Sequence, residues 1–346
     1  MENRKLKNSV WPFIIICLCV GFLNSNAQAL PNCTLPVMAT DERPDSNGKP
    51  TKVTIGMLVA DITSVDDVGQ AIEGDFFVKL SWRDKRLDGL DGCRFHRTKV
   101  WFPQISLLNS HRLTTARVFA ADEVKIEKNG FVSYFQRYYG SISTYHQLQR
   151  FPFDRHLFKL RGTDFDYGNH ELSFVVDEKF TRASNLLNVP DWKLHSVKGL
   201  VTDQFVEEFD ASYSLFTLEI DLSRNSDFYI RKVLTPLVLI VMMSWVVFWV
   251  DPEKFGPQIG LSVTAMLTLI AFQFTFSTVL PKLSYFTTFD SLLLGSTVLV
   301  FFSLIEATIT TRLVFRGKLD LAQRLDSISR WAFPLAFVAL WIFVLV

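Results

Sequence analysis

The chain has 346 residues, 49% of them hydrophobic, and a formal net charge of +1. That length suits about two domains, and so balanced a charge supplies no global field for nucleic acid or an acidic partner. The average hides a division: residues 30 to about 227 are mixed and charged, whereas long apolar runs dominate from Val233 onward. A soluble domain followed by a membrane domain is predicted.

At the N-terminus Arg4, Lys5 and Lys7 precede an apolar stretch, Val10 to Leu23, and Ala27-Gln28-Ala29 follows with small residues. The order predicts a secretory signal peptide over 1–29, with a membrane anchor as the alternative. The soluble domain is then expected outside the cytoplasm. Cys17 and Cys19 would leave with the signal, while Cys33 and Cys93 would remain in an oxidising compartment. Whether those two come within bridging reach is not legible in a sequence, so their pairing stays open. Asn32-Cys33-Thr34 fits a glycosylation sequon.

Residues 51 to 224 read mainly as strands. "KVTIGMLVADI", "EGDFFVKLSW", "FVSYFQRYYGSIST", "HELSFVVD", "DWKLHSVKGLV" and "SYSLFTLEIDL" are rich in β-branched and aromatic residues with partial alternation. Short strands between turns over such a length predict an all-β, immunoglobulin-like sandwich. A short helix is expected at most before residue 50. Enzyme motifs such as G-x-S-x-G, H-E-x-x-H or a phosphate-cradling glycine loop do not occur. His146, His156 and His170 are spread over different segments, so neither a metal site nor a cofactor is expected. Asp164 and Asp166 read as a polar loop rather than as a paired-carboxylate site.

The apolar half predicts four membrane helices, at about 229–250, 257–280, 286–311 and 328–346. Arg330 and Trp331 suit an interfacial anchor for the last. The stretch 258–280, "QIGLSVTAMLTLIAFQFTFSTVL", carries no charge yet is studded with hydroxyls. Gly260, Thr264, Leu267, Ala271, Phe274 and Thr278 step by four and three, so they share one helical stripe. Such a stripe suits a helix lining a water-filled pore; packing of small residues against a neighbouring helix is the alternative. Arg312, Arg316, Lys318, Arg324 and Arg330 against Asp320 and Asp326 place the last connection on the cytoplasmic side, leaving the C-terminus outside.

Several motifs then resemble one family in order. "QRFPFDRH" holds Phe151-Pro152-Phe153-Asp154, joined by Trp82-x-Asp84, Trp101-x-Pro103, Arg224, Phe228-Tyr229 and Pro236. "IGLSVTAMLTL" resembles the pore helix of glycine and GABA receptors, "LPKLSY" the linker after it, and "DSISRWAFPLAF" the start of their fourth helix. The chain resembles the pentameric ligand-gated ion channels, or Cys-loop receptors. The two cysteines that name the family would fall on Thr144 and Phe158, so the bridge is absent, as in bacterial members. The resemblance implies an extracellular ligand-binding sandwich (30–227) and a four-helix pore domain (228–346). It implies a homopentamer around a central pore, in membrane lipid, expected in the inner membrane.

The resemblance also places sites. An aromatic box for a small agonist, an amine above all, falls on Phe77 of the complementary face and Phe165, Phe205 and Tyr213 of the principal face. Leu108 stands where an aromatic is common, and the capping loop has no vicinal cysteines. Coupling between domains falls on Asp67, Phe153, Asp154, Arg224 and Pro281. The pore stripe becomes the ion path, with Leu267 the central hydrophobic ring and Phe274 a second ring above it. Gly256-Pro257-Gln258 at the inner mouth matches neither the cation nor the anion signature. Cations are the expectation; an anion channel, a proton-gated channel and a non-conducting receptor are the alternatives, and a membrane-tethered enzyme is disfavoured by the missing catalytic motifs.

Overall fold

A computed structural model describes residues 33–345 apart from 38–39, 46, 111, 117–121, 190 and 278–282. The expected signal peptide over 1–29 lies outside the described residues, as do Thr278 and Pro281. Among the described residues before 51 the chain turns without the short helix expected there. Asp45 and Gly48 take positive φ between Pro44 and Pro50, which a helix cannot accommodate.

Among the described residues twelve strands follow: β1 (Thr51–Asp66), β2 (Ala71–Arg83), β3 (Arg94–His96), β4 (Ile105–Leu107), β5 (Thr114–Ala116), β6 (Glu123–Glu127), β7 (Phe131–Ser143), β8 (Arg155–Asp164), β9 (Leu172–Val176), β10 (Arg182–Ala183), β11 (Trp192–Val206) and β12 (Ala211–Arg224). One sheet runs β10-β1-β2-β7-β6-β3, with β9 also on β1 and β5 on β7. The other runs β11-β12-β8-β4. Alternation decides which side chains meet between them. Val53, Ile55, Met57 and Val59 point inward from β1, and Phe216, Leu218, Ile220 and Leu222 from β12. Each such side chain contributes about 1.5–3 kcal/mol by leaving water.

The tryptophan motifs serve this core. Trp82 meets Trp101 edge-on at 5.7 Å and Phe102 at 5.8 Å. Buried Asp84 accepts the Arg86 N–H at 3.0 Å and pairs with its guanidinium at 2.8 Å, which locks the chain as it leaves β2. Cys33 and Cys93 are joined as a disulfide with Cα atoms 5.6 Å apart, tying the N-terminal segment to the entry of β3.

Among the described residues four spans long and apolar enough to cross a membrane lie after the sandwich: Asp227–Trp249, Gly256–Ser277, Thr288–Phe315 and Leu319–Val344. The third runs beyond 311, and the fourth begins at Leu319 rather than at 328. The stretch 319–330 is too charged to read as membrane, yet it is helical and turns Ala322, Asp326 and Ser329 inward. In the first span Pro236 offers no N–H, and the chain widens just before it into a π-type turn over Ile230–Leu234. Third and fourth spans approach closely at Gly295, where a Cβ would lie 2.5 Å from Leu340. Between them Glu306 and Asp326 are buried, with the Thr310 hydroxyl 3.4 Å from each. Arg330 donates to the Phe248 carbonyl at 2.8 Å, capping the C-terminal end of the first span with a cation.

Candidate functional site

Three places stand out, at the domain junction, at the far end of the sandwich and along the second span. The junction is built on the β7–β8 loop. Its Phe151 is buried among the membrane helices, 4.8 Å from Tyr229 and 6.5 Å from Phe289 by ring centroid. The Tyr285 hydroxyl accepts the Leu148 N–H at 3.0 Å, and Thr288 donates its N–H to the Gln149 carbonyl at 2.8 Å. Phe153, at the loop tip, is exposed.

Above this contact sits a buried ion cluster. Arg224, with a side chain only 5% exposed, donates Nε to Asp154 at 2.9 Å and Nη2 to Asp154 at 3.0 Å and to Asp67 at 2.8 Å. Its guanidinium lies over Trp192 at 4.3 Å and Phe151 at 5.0 Å. His156 Nε2 lies 2.6 Å from Asp154 Oδ2, the oxygen that also accepts Arg224 Nη2. Burial alone would push the Asp154 carboxyl up, but the hydrogen bonds from His156 and Arg224 outweigh it and hold it at about 2. The same cluster shows what replaces the missing cysteine bridge. At one of its places, Phe158 packs into the core against His146 at 5.5 Å, His156 at 5.9 Å and Trp192 at 6.0 Å. At the other, Thr144 donates its N–H to the Gln70 carbonyl at 2.9 Å, while the Gln70 side chain accepts the His146 N–H at 2.9 Å. The β7–β8 loop is thus pinned to the β1–β2 turn rather than closed on itself. His146 and His156, read as dispersed, are neighbours at 5.4 Å; among the described residues no group of three ligands could hold a metal.

At the other end of the sandwich Phe165, just after β8, lies 5.3 Å from Tyr213 and 5.5 Å from Phe209, and the latter two are 6.2 Å apart. The structure brings Phe165 and Tyr213 together, as expected, but the third ring is Phe209 rather than Phe205. Phe209 sits in the β11–β12 hairpin tip, which Asp210 closes with positive φ. Phe205, on β11 opposite Ser212, is exposed to one side. Phe77 stands apart on β2, stacked on Phe135 at 5.2 Å and covered by the Arg137 guanidinium at 5.6 Å. Leu108 is exposed just beyond β4.

The second span has two contrasting faces. Gln258, Ser262, Ala265 and Leu269 are fully buried against the rest of the bundle. Gly260, Thr264, Ala271, Leu267 (62% exposed) and Phe274 (72% exposed) form the opposite, uncovered stripe. The Thr264 hydroxyl donates to the Gly260 carbonyl at 2.8 Å, so its lone pairs point off the helix. A stripe of this kind, uncovered in one chain, requires symmetric copies or lipid to cover it.

Comparison with known proteins separates these alternatives. Residues 36–226 match the neurotransmitter-gated ion-channel ligand binding domain, and residues 233–320 the neurotransmitter-gated ion-channel transmembrane region. The chain belongs to the neurotransmitter-gated ion-channel family. The "Proton-gated ion channel" of Gloeobacter violaceus (strain ATCC 29082 / PCC 7421) is 23% identical over 296 residues, 84% of this chain and 81% of that protein.

The chain is therefore a subunit of a pentameric ligand-gated ion channel, with a ligand-binding sandwich outside the membrane and four membrane-spanning helices. Members of this family are ligand-gated channels rather than enzymes, and they assemble as homopentamers that bind small molecules. The channel's junction contains residues that sequence reasoning passed over: Gln70, His146, His156, Tyr285, Thr288 and Phe289. The aromatic signal of Phe209 was present, but its place depends on where the hairpin turns. Asp164, read as loop, is 1% exposed and lies directly beside the aromatic triangle.

Proposed function

We propose that the agonist is a small amine, bound where Phe165, Phe209 and Tyr213 of one subunit face Phe77 of the next, with Phe205 at the rim. The triangle of three rings carries this reading, because aromatic faces attract a cation by about 0.5–1 kcal/mol when exposed and about 2 kcal/mol when desolvated. Removing Phe165 or Tyr213 as alanine is expected to shift the amine dose–response of the current to about two- to thirtyfold higher concentration, which is about 0.5–2 kcal/mol. Two variants that both keep the parental dose–response would put the pocket elsewhere.

The proposed ion path follows Gly260, Thr264, Leu267, Ala271, Phe274 and Thr278, and the proposed ions are small monovalent cations. At the inner end Asp251, Glu253 and Lys254 are all exposed, so five copies place a net negative ring there, which favours cations. Gln258 contributes no charge and is turned away from the path. Agonist binding is proposed to reach the path through Arg224, Asp67 and Asp154, with Phe153 and Pro281 where the sandwich meets the helices. Placement in the inner membrane, with lipid around the fourth span and domain limits at 30–227 and 228–346, completes the proposal.

A second reading is gating by protons, as the name of the Gloeobacter relative states for that protein. His146 favours it. Burial holds its imidazole below the usual range, so it stays neutral until the solution is acidic, and a proton added there would face Arg224. A pH jump without amine that opens the channel would select this reading.

A further inference from the structure

We propose that Asp164 is a positioning residue of the agonist site, whose two carboxylate oxygens clamp loop 101–105 to loop 164–168 and so fix Phe165 in the aromatic triangle. The proposal rests on the reading of Phe165 as pocket lining.

Asp164 is the last residue of β8 and pairs in register with Ile105 of β4. Its Oδ2 accepts the backbone N–H of Gln104 at 2.8 Å, and its Oδ1 accepts that of Asp166 at 2.9 Å. One bond reaches across to the neighbouring loop and the other folds Phe165's own loop. Trp101 Nε1 donates to the Tyr167 hydroxyl at 3.1 Å, which joins the same two loops a second time. The remaining side of this loop is met by β12, where Thr163 donates its hydroxyl to the Ser214 carbonyl at 2.9 Å. Phe165 therefore leaves a backbone held on both sides.

An ionised carboxylate accepts both N–H groups, one on each oxygen. Adding a proton turns one oxygen into a hydroxyl, which is a weaker acceptor, and replacing Asp by Asn puts an amide donor against one of the two N–H groups. Buried donors and acceptors left without partners are costly, so the loops part. Burial raises the Asp164 carboxyl to about 6, against the pull of the N–H groups from Asp166 and Gln104, and the charge of Asp166 pushes in the same direction. Asp166 is the charged group on its own loop; loop 101–107 and strand residues 213–218 bring none. The clamp therefore weakens as pH falls through about 6.

The sign of the stability effect is opposite. A carboxyl that binds its proton more tightly in the folded chain than in the unfolded one stabilises the fold as pH falls from about 6 towards 4. Acid is then expected to loosen the pocket without contributing any loss of global stability through this group. A purely structural role would move pocket and fold together.

The test uses the full pentamer in detergent, with tetramethylammonium as the cation probe. Hydrogen exchange in 101–107 and 164–168, scaled to intrinsic rates, is expected to rise about tenfold between pH 7.5 and pH 5 in the parent. In Asp164→Asn it is expected to be fast at both values, with tetramethylammonium bound about tenfold more weakly at pH 7.5 and no pH dependence near 6. Should Asp164→Asn fail to assemble, Gln104→Pro removes the same N–H from the other partner and is expected to reproduce the loosening. Slow parental exchange in the variant that assembles overturns the clamp. Unchanged tetramethylammonium binding in that variant, with binding weakened in Phe165→Ala, overturns the positioning role and leaves the pocket standing. Binding unchanged in Phe165→Ala as well removes the pocket reading, and this inference with it.

Discussion

Replacing Leu267 by serine is expected to let current flow without agonist, or to raise agonist sensitivity about tenfold. Leu267 is the middle residue of the uncovered stripe and stands 62% exposed in a single subunit. Around a fivefold axis it becomes a ring of five leucines that offers an ion no oxygen ligands. Water leaves such a constriction, and the ion meets a desolvation barrier. The closed ring is also held together by leucine burial, worth roughly 3 kcal/mol per side chain at most. If each subunit forfeits about a tenth of that on becoming serine, five subunits shift the closed–open equilibrium by ~1.5 kcal/mol, about tenfold. Phe274, two turns higher, is expected to act the same way and more modestly as alanine, since Ala271 between them is a small residue that leaves a wider bore. Resting current and sensitivity both unchanged in Leu267→Ser would mean that this helix is rotated, and every pore residue named here would fall with it.

Replacing Arg224 by alanine is expected to cost about 3–5 kcal/mol and to leave little functional channel, because it strands the buried Asp154 carboxylate. Asp154 is held at about 2 only while His156 and Arg224 donate to it. A carboxyl depressed in the folded chain contributes stability above its unfolded pKa, and loses it only as pH falls through the folded value. Between pH 7 and 4 the Asp154–Arg224 pair therefore stays charged. Arg224→Lys keeps the charge but loses the planar fork that reaches both Asp67 and Asp154, and the stacking on Trp192. It is expected to fall between parent and alanine variant in melting temperature of the pentamer. An alanine variant that melts and conducts like the parent would remove the cluster from both stability and coupling.

Much of this molecule was legible because motifs in the right order carry three-dimensional information that local pattern does not. The proximity of Arg224 to Asp67 and Asp154 spans up to 157 positions, and no periodicity argument reaches that far. Steps of three and four put Gly260, Thr264, Leu267, Ala271 and Phe274 on one stripe of the second span, and the single subunit leaves that stripe uncovered. Other features needed coordinates. The Cys33–Cys93 bridge depends on how a turn-rich segment crosses to β3. The fourth helix begins at Leu319 because helix formation tolerates charges that a search for apolar runs rejects. Phe209 meets Phe165 and Tyr213 because the hairpin turns at Glu207–Asp210. Asp164 looked like an ordinary loop acid, and only its burial shows that it has lost water. Glu306 and Asp326 were hidden for a similar reason, since nothing in the sequence pairs an acid of the third span with one of the fourth.

The most direct measurement is current across a planar bilayer holding purified Leu267→Ser pentamers, with a sodium gradient and no agonist. A central pore along the second-span stripe gives discrete leak currents that reverse near the sodium equilibrium potential. A bilayer that stays electrically silent, with the same protein inserted, pentameric and melting like the parent, would contradict the assignment of that stripe to an ion path.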